Sequence, residues 1–283
     1  MNTETILVLG STGKTGRRVA KRLAARHSRV RHGSRSGTPP FDWENRATWA
    51  PALLGVKVVY VSYYPDLAAP GATDAIRSFT DLAVKSGVRR LVLLSGRGEA
   101  EAQHCEDIVR RSGVEWTLLR ASWFAQNFSE AHFLEPILAG ELALPVANIG
   151  EPFVDADDIA DVAVAALTQD GHARQLYELT GPRLWTFADA VAAIAQATGR
   201  TIRFTQIFMT EYAAALEEAQ LPTETIDLIR YLFTEVLDGR NASVKDGVVR
   251  ALGRPPRDFG DYVRKNGRDG RLGHWSAIMK WPS

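Results

Sequence analysis

Ile6-Leu-Val-Leu-Gly10-Ser-Thr-Gly13-Lys-Thr-Gly16 is the stretch that decides the fold. Its first four residues are continuously apolar, short, and without the alternation of a half-exposed strand, so they read as a strand buried on both faces. Three glycines follow at G-x-x-G-x-x-G spacing, and residues 17–25 then place Val19, Ala20, Leu23 and Ala24 on one helix face. Strand, glycine turn and helix start in immediate succession build an anion-binding corner: the turn lets backbone approach a ligand, and free N–H groups at the helix start point at it. The spacing predicts a dinucleotide site on Gly10, Thr12, Gly13, Lys14, Thr15 and Gly16. Gly13-Lys14-Thr15 resembles the end of a P-loop, but Val8 stands five positions before Gly13, where that motif needs glycine.

The rhythm continues outward. Strand-like segments at 30–34, 56–62, 91–94 and 116–119 alternate with helix-like segments at 72–86 and 103–111. This predicts an α/β fold with a Rossmann-type doubly wound parallel sheet, its cofactor-binding core in residues 1–125. After Arg120, Pro136, Gly140, Pro145, Gly150 and Pro152 break the chain into short pieces. Helical patterns return at 155–167, 187–198, 211–220 and 223–237. Residues 126–283 therefore read as a mixed part, holding the last Rossmann elements and a small, mostly helical, substrate-covering lobe.

Composition narrows the classes. Lys and Arg total 34 against 33 Asp and Glu, a net charge of +1, so a general nucleic-acid binder is excluded. A basic stretch at 250–271 is interrupted by Asp258, Asp261 and Asp269 and reads as a solvated surface. The lone cysteine, Cys105, permits no intrachain disulfide. No apolar run approaches the ~18 residues of a membrane span, and the N-terminus lacks a signal-peptide pattern. The expectation is a cytoplasmic monomer or homodimer acting on a small molecule, with no membrane, nucleic-acid or metal partner.

Which dinucleotide is bound is read after the second strand. An NAD site carries an acid there for the ribose 2′-hydroxyl. Here the chain reads Arg31-His-Gly-Ser34-Arg35-Ser36, with no acid. Arg35 suits a 2′-phosphate, with Ser34 and Ser36 as hydrogen-bond partners, so NADP(H) is expected.

Several further stretches carry a family resemblance: Gly33-Ser-Arg-Ser36, Phe41-Asp-Trp43, Leu91-Val-Leu-Leu-Ser95, Leu119-Arg-Ala-Ser-Trp-Phe124 with Asn127-Phe128, and Leu179-Thr-Gly-Pro182. Together with the glycine loop they resemble the NmrA-like, atypical short-chain dehydrogenases, and most of all the festuclavine/agroclavine dehydrogenase group and its bacterial relatives. The resemblance implies that Asp42 and Trp43 lie near the adenine and that Val61 to Tyr64, including Tyr63, pass under the adenosine and pyrophosphate. It implies that Ser95 and Gly96 reach the nicotinamide side, and that Trp123, Phe124 and Asn127 line the nicotinamide and substrate pocket. The chain departs from the family pattern at Ala121, where proline is usual, which leaves the path of the pocket loop open.

Ordinary short-chain dehydrogenases place Tyr-x-x-x-Lys on the helix before the fifth strand, where the tyrosine moves the proton. Here that helix contains neither, and no catalytic residue is assigned; Ser95 and His104 are the remaining hydrogen-bond donors nearby. Two readings follow. The first is an NADPH-dependent reductase of an activated acceptor, an iminium ion or conjugated enone, roofed by Trp123, Phe124, Phe128, Trp185, Tyr212, Tyr231 and Phe233. The second is a catalytically silent NADP(H)-binding sensor of the NmrA type.

Overall fold

A computed structural model describes residues 4–268. The strands are β1 (Thr5–Leu9), β2 (Arg29–Gly33), β3 (Val56–Val61), β4 (Arg90–Gly96), β5 (Glu115–Ala121), β6 (Glu141–Leu144), β7 (Gln175–Leu179) and β8 (Arg203–Gln206). The first seven helices are α1 (Gly16–Ala25), α2 (Trp49–Leu53), α3 (Ala72–Lys85), α4 (Ala100–Arg110), α5 (Leu134–Ala139), α6 (Ala156–Thr168) and α7 (Phe187–Thr198). The others are α8 (Met209–Glu218), α9 (Thr223–Tyr231), α10 (Gly247–Leu252) and α11 (Phe259–Arg268). Asp269 and Arg271 of the basic stretch lie outside the described residues.

Six strands form one parallel sheet in the order β2-β1-β3-β4-β5-β7. The chain runs outward from β1 to β2, then back past β1 to β3, so the order reverses between β1 and β3. Ligands of open α/β sheets bind at such a reversal, beyond the carboxyl ends of the strands. Ile6, Val8, Val58, Tyr60 and Val92 pack on one face against Val19 and Leu23 of α1 and Ile159 and Ala163 of α6. Leu7, Leu9, Val59, Val61 and Leu91 pack on the other against Ile76 and Phe79 of α3 and Cys105 of α4. Burial on both faces is what made these strands read as unbroken apolar runs.

The lobe has its own core, in which Phe128, Phe133, Phe153, Phe187 and Phe259 meet at ring-centroid distances of 5.2–6.1 Å. Each such ring contributes about 1.5–3 kcal/mol by burial. A two-stranded parallel sheet, β6 with β8, lies outside the main sheet. Residues 223–237 are not one regular helix: α9 ends at Tyr231 and a π turn carries Leu232–Val236.

Candidate functional site

The carboxyl ends of β1, β3, β4 and β5 open into a cleft of about 530 Å³. At its glycine corner Gly10 has φ +63°, open to glycine at little cost. A Cβ on Gly16 would lie 2.1 Å from the Gly10 carbonyl oxygen, so only glycine lets α1 start against the turn. Gly13 N donates to Gly10 O at 2.9 Å, whereas the Thr12, Lys14 and Thr15 N–H groups donate to no acceptor among the described residues. Thr15 sits at the N-cap of α1 without capping it, and its hydroxyl accepts from Tyr60 Oη at 3.0 Å. An uncapped helix end with unused N–H groups fits a pyrophosphate.

Lys14 points along the cleft and donates to Asn127 Oδ1 at 2.9 Å. Burial lowers its pKa to about 8, with Glu130 opposing the shift. Glu130 ion-pairs with Arg17, and with Arg18 at 2.6 Å, tying α1 to the lobe. His132 lines the same cleft, and burial lowers its pKa to about 4, so it is neutral at pH 7.

Thr12, Ser34 and Ser36 line a separate depression beside β2, together with Ser11, whose buried hydroxyl has no hydrogen-bond partner. Arg35, between Ser34 and Ser36 in sequence, is exposed and makes no side-chain hydrogen bond or ion pair among the described residues. An orphaned hydroxyl beside two serines and a free guanidinium fits a 2′-phosphate. Of the Asp42–Trp43 pair, only Trp43 lines the cleft; its Nε1 donates to Ser62 O at 3.1 Å, and its ring lies 4.9 Å from that of Tyr63. Asp42 turns away, its carboxylate accepting from Glu44 N and its carbonyl from Trp49 Nε1. Tyr64 also lines the cleft and is largely exposed.

Ser95 and Gly96 end β4 at the cleft, but Ser95 Oγ donates to Glu106 Oε1 at 2.8 Å. Glu106 is fully buried and held by Arg120 through two bonds of 2.7 and 2.6 Å. The hydroxyl proton of Ser95 is thus committed, and His104 faces solvent on α4 outside the cleft. Two carboxyls that sequence reasoning missed, Asp66 and Glu99, stand in the cleft just past the ends of β3 and β4. That position was their signal, since ligands meet residues following parallel strands.

Beyond Ala121, the last residue of β5, the pocket loop is pinned by extended pairing: Val154 N donates to Trp123 O, and Ala125 N to Val154 O, both at 2.9 Å. This carries Trp123, Phe124 and Asn127 to the cleft, where Phe233, Leu232 and Ile229 complete an apolar wall. The larger aromatic roof is corrected. Phe128 is core, Trp185 packs on Phe259 under Arg183, and Tyr212 backs Phe233. Tyr231 Oη accepts from Ala100 N at 3.3 Å, and the ring is outside the cleft lining. Core packing won at Phe128, Trp185 and Tyr212 because the lobe has a hydrophobic core of its own to bury.

Among the described residues, no group of three or more His, Cys, Asp or Glu is arranged to hold a metal, and no helix is long and apolar enough to cross a membrane. Residues 10–170 match a family described as NAD(P)H-binding. The agroclavine dehydrogenase of Claviceps fusiformis is 31% identical, over 93% of this chain and 97% of its own. Among solved structures, the triphenylmethane reductase of Citrobacter sp. complexed with NADP(H) has a TM-score of 0.70 at 16% identity, covering 93% of this chain and 99% of that one. The negative transcriptional regulator NmrA in complex with NAD has a TM-score of 0.72 at 16% identity, covering 96% and 97%. These two likenesses are of fold.

Proposed function

The chain belongs to the NAD(P)H-binding family, and we propose that it is an NADPH-dependent reductase of a small, cyclic or aromatic, activated acceptor, an iminium ion or a conjugated enone. When bound, a reduced nicotinamide supplies the hydride. The chain's residues do the rest. The Gly10–Gly16 corner holds the pyrophosphate; Ser34, Arg35 and Ser36 hold the 2′-phosphate; and Trp43, Tyr63 and Tyr64 flank the adenosine side. Ser95 and Gly96 meet the nicotinamide side, while Trp123, Phe124, Asn127 and Phe233 orient the acceptor and exclude water.

One observation carries this reading. A single cleft runs from the glycine corner to an apolar wall at the ends of β4 and β5, so a dinucleotide and a flat acceptor share it. An iminium suits such a wall, because hydride addition removes its charge. The silent-sensor reading is supported by the missing tyrosine–lysine pair on α4 and by the commitment of Ser95 to Glu106. A sensor has no use for an apolar wall beside the nicotinamide end, which is why the reductase is preferred. The test is NADPH oxidation with a panel of cyclic iminium ions, conjugated enones and plain ketones. Turnover of the first two classes supports the proposal, and tight NADPH binding with no turnover favours the sensor.

A further inference from the structure

Glu99 stands at the N-cap of α4 and caps nothing with its side chain. Its carboxyl folds back over Gly96, where an added Cβ would fall 1.9 Å from Oε1. The residue is 7% exposed, lines the cleft, and its buried Oε2 has no hydrogen-bond partner. The group beside it is a second carboxyl, that of Asp66, within hydrogen-bond reach. Asp66 itself accepts from Ala68 N at 2.8 Å. A carboxylate buried without donors is costly, and the half-buried Asp66 carboxyl beside it makes a second charge there costlier still. Both effects favour a shared proton on the pair.

The surroundings agree. Arg97, the adjacent cation, is spent on the carbonyls of Asn241 and Ser243, on the Ser243 hydroxyl, and on Glu178. Glu101 and Glu106 of α4 add negative potential at Glu99, and Cys105, near Asp66, is a protonated thiol. Tyr231 is neutral, with its pKa pushed up to about 12, while Lys14 is tied to Asn127 and His132 is neutral. Burial first, then the charge of Asp66, raises the Glu99 pKa well above the usual carboxyl range.

We propose that Glu99, held against Gly96 and partnered by Asp66, is the catalytic acid that protonates the reduced acceptor, supplied from the N-cap of α4 rather than by a tyrosine within it. This rests on the reductase reading and extends it to acceptors that need a proton. A conjugated enone that has taken hydride at its β-carbon is an enolate. The enolate takes the Glu99 proton: the Glu99 O–H bond breaks, a C–H or O–H bond forms on the acceptor, and the carboxylate regains a proton from water. The reduced nicotinamide is the reductant and ends oxidised. An iminium becomes a neutral amine without this step.

The test compares benzylideneacetone with N-methyl-dihydroisoquinolinium in wild type, Glu99→Gln and Asp66→Asn, with folding checked by circular dichroism. In Glu99→Gln, kcat on the enone is expected to fall about a hundred-fold, at least ten times more than the loss on the iminium. Wild-type kcat on the enone falls as pH rises through the Glu99 pKa. Asp66→Asn removes a like charge, eases ionisation of Glu99, and moves that limb to lower pH. Independently of turnover, carbon NMR of carboxyl-labelled protein without cofactor is expected to find, beside Glu151, whose pKa burial raises to about 7, a further carboxyl still protonated at pH 7 that is absent in Glu99→Gln. Equal losses on both probes, or an ionised Glu99 at pH 7, would overturn the proposal. Failure of wild type to turn over either probe would instead overturn the reductase reading, and the proposed step with it.

Discussion

Lys14 Nζ and Asn127 Oδ1 meet at 2.9 Å across 113 residues of sequence. The contact closes the glycine loop against the pocket loop, so each half of the cleft positions the other. Because Lys14 is half-neutral near pH 8, an arriving phosphate charge favours its ammonium form. NADPH binding at pH 8 to 9 should therefore take up a proton. Calorimetry in buffers of different ionisation enthalpy measures this, and Lys14→Gln should abolish it. Binding with no proton uptake in wild type would separate Lys14 from the phosphates.

Arg35 is exposed and without a side-chain partner among the described residues, between Ser34 and Ser36 in sequence. Arg35→Ala should cut the preference for NADPH over NADH by about ten-fold, the 1.4 kcal/mol that a charge-assisted contact supplies. Titration with both cofactors decides it, and an unchanged ratio would place the 2′-phosphate elsewhere.

The loop glycines should fail in different ways. At Gly13 an added Cβ meets only Gly10 O, at 3.2 Å, so Gly13→Val should keep the fold and lose dinucleotide binding. At Gly16 the clash with Gly10 backbone, at 2.1 Å, has no flexible partner to absorb it. Gly16→Ala should lose both binding and melting temperature. Retained binding in Gly13→Val would mean that the loop is not the pyrophosphate site.

These glycines were legible in the sequence because strand, turn and helix start are contiguous, and their chemistry needs no distant partner. Strands β1, β3, β4 and β5 were legible for a related reason: buried strands carry unbroken apolar runs, whereas β2 is half-exposed and β7 was not assigned from the sequence. The β6–β8 pair was not, since each strand has four residues and the pairing joins Glu141 to Arg203. The Asp66–Glu99 pair escaped because the separate loops after β3 and β4 meet only once the sheet has formed. Among the aromatics, composition does not separate a wall from a core. Phe128 and Phe233 looked alike, and both are buried in the lobe core, but only Phe233 also lines the cleft.

That pair yields a contrast. Phe128→Ala should destabilise the protein by about 3–5 kcal/mol through a cavity among Phe133, Phe153, Phe187 and Phe259. Phe233→Ala should cost less stability and raise KM for the acceptor more than KM for NADPH. Denaturant melts beside steady-state kinetics separate the two effects, and a reversed pattern would place the acceptor away from Phe233.

The reductase assignment is tested most directly by mixing the NADPH-loaded protein with a cyclic iminium ion and following the loss of reduced-nicotinamide absorbance in a single turnover. An acceptor-dependent loss, saturating with acceptor concentration and faster than with a plain ketone, is expected. Bound NADPH that no iminium or enone oxidises would contradict the assignment.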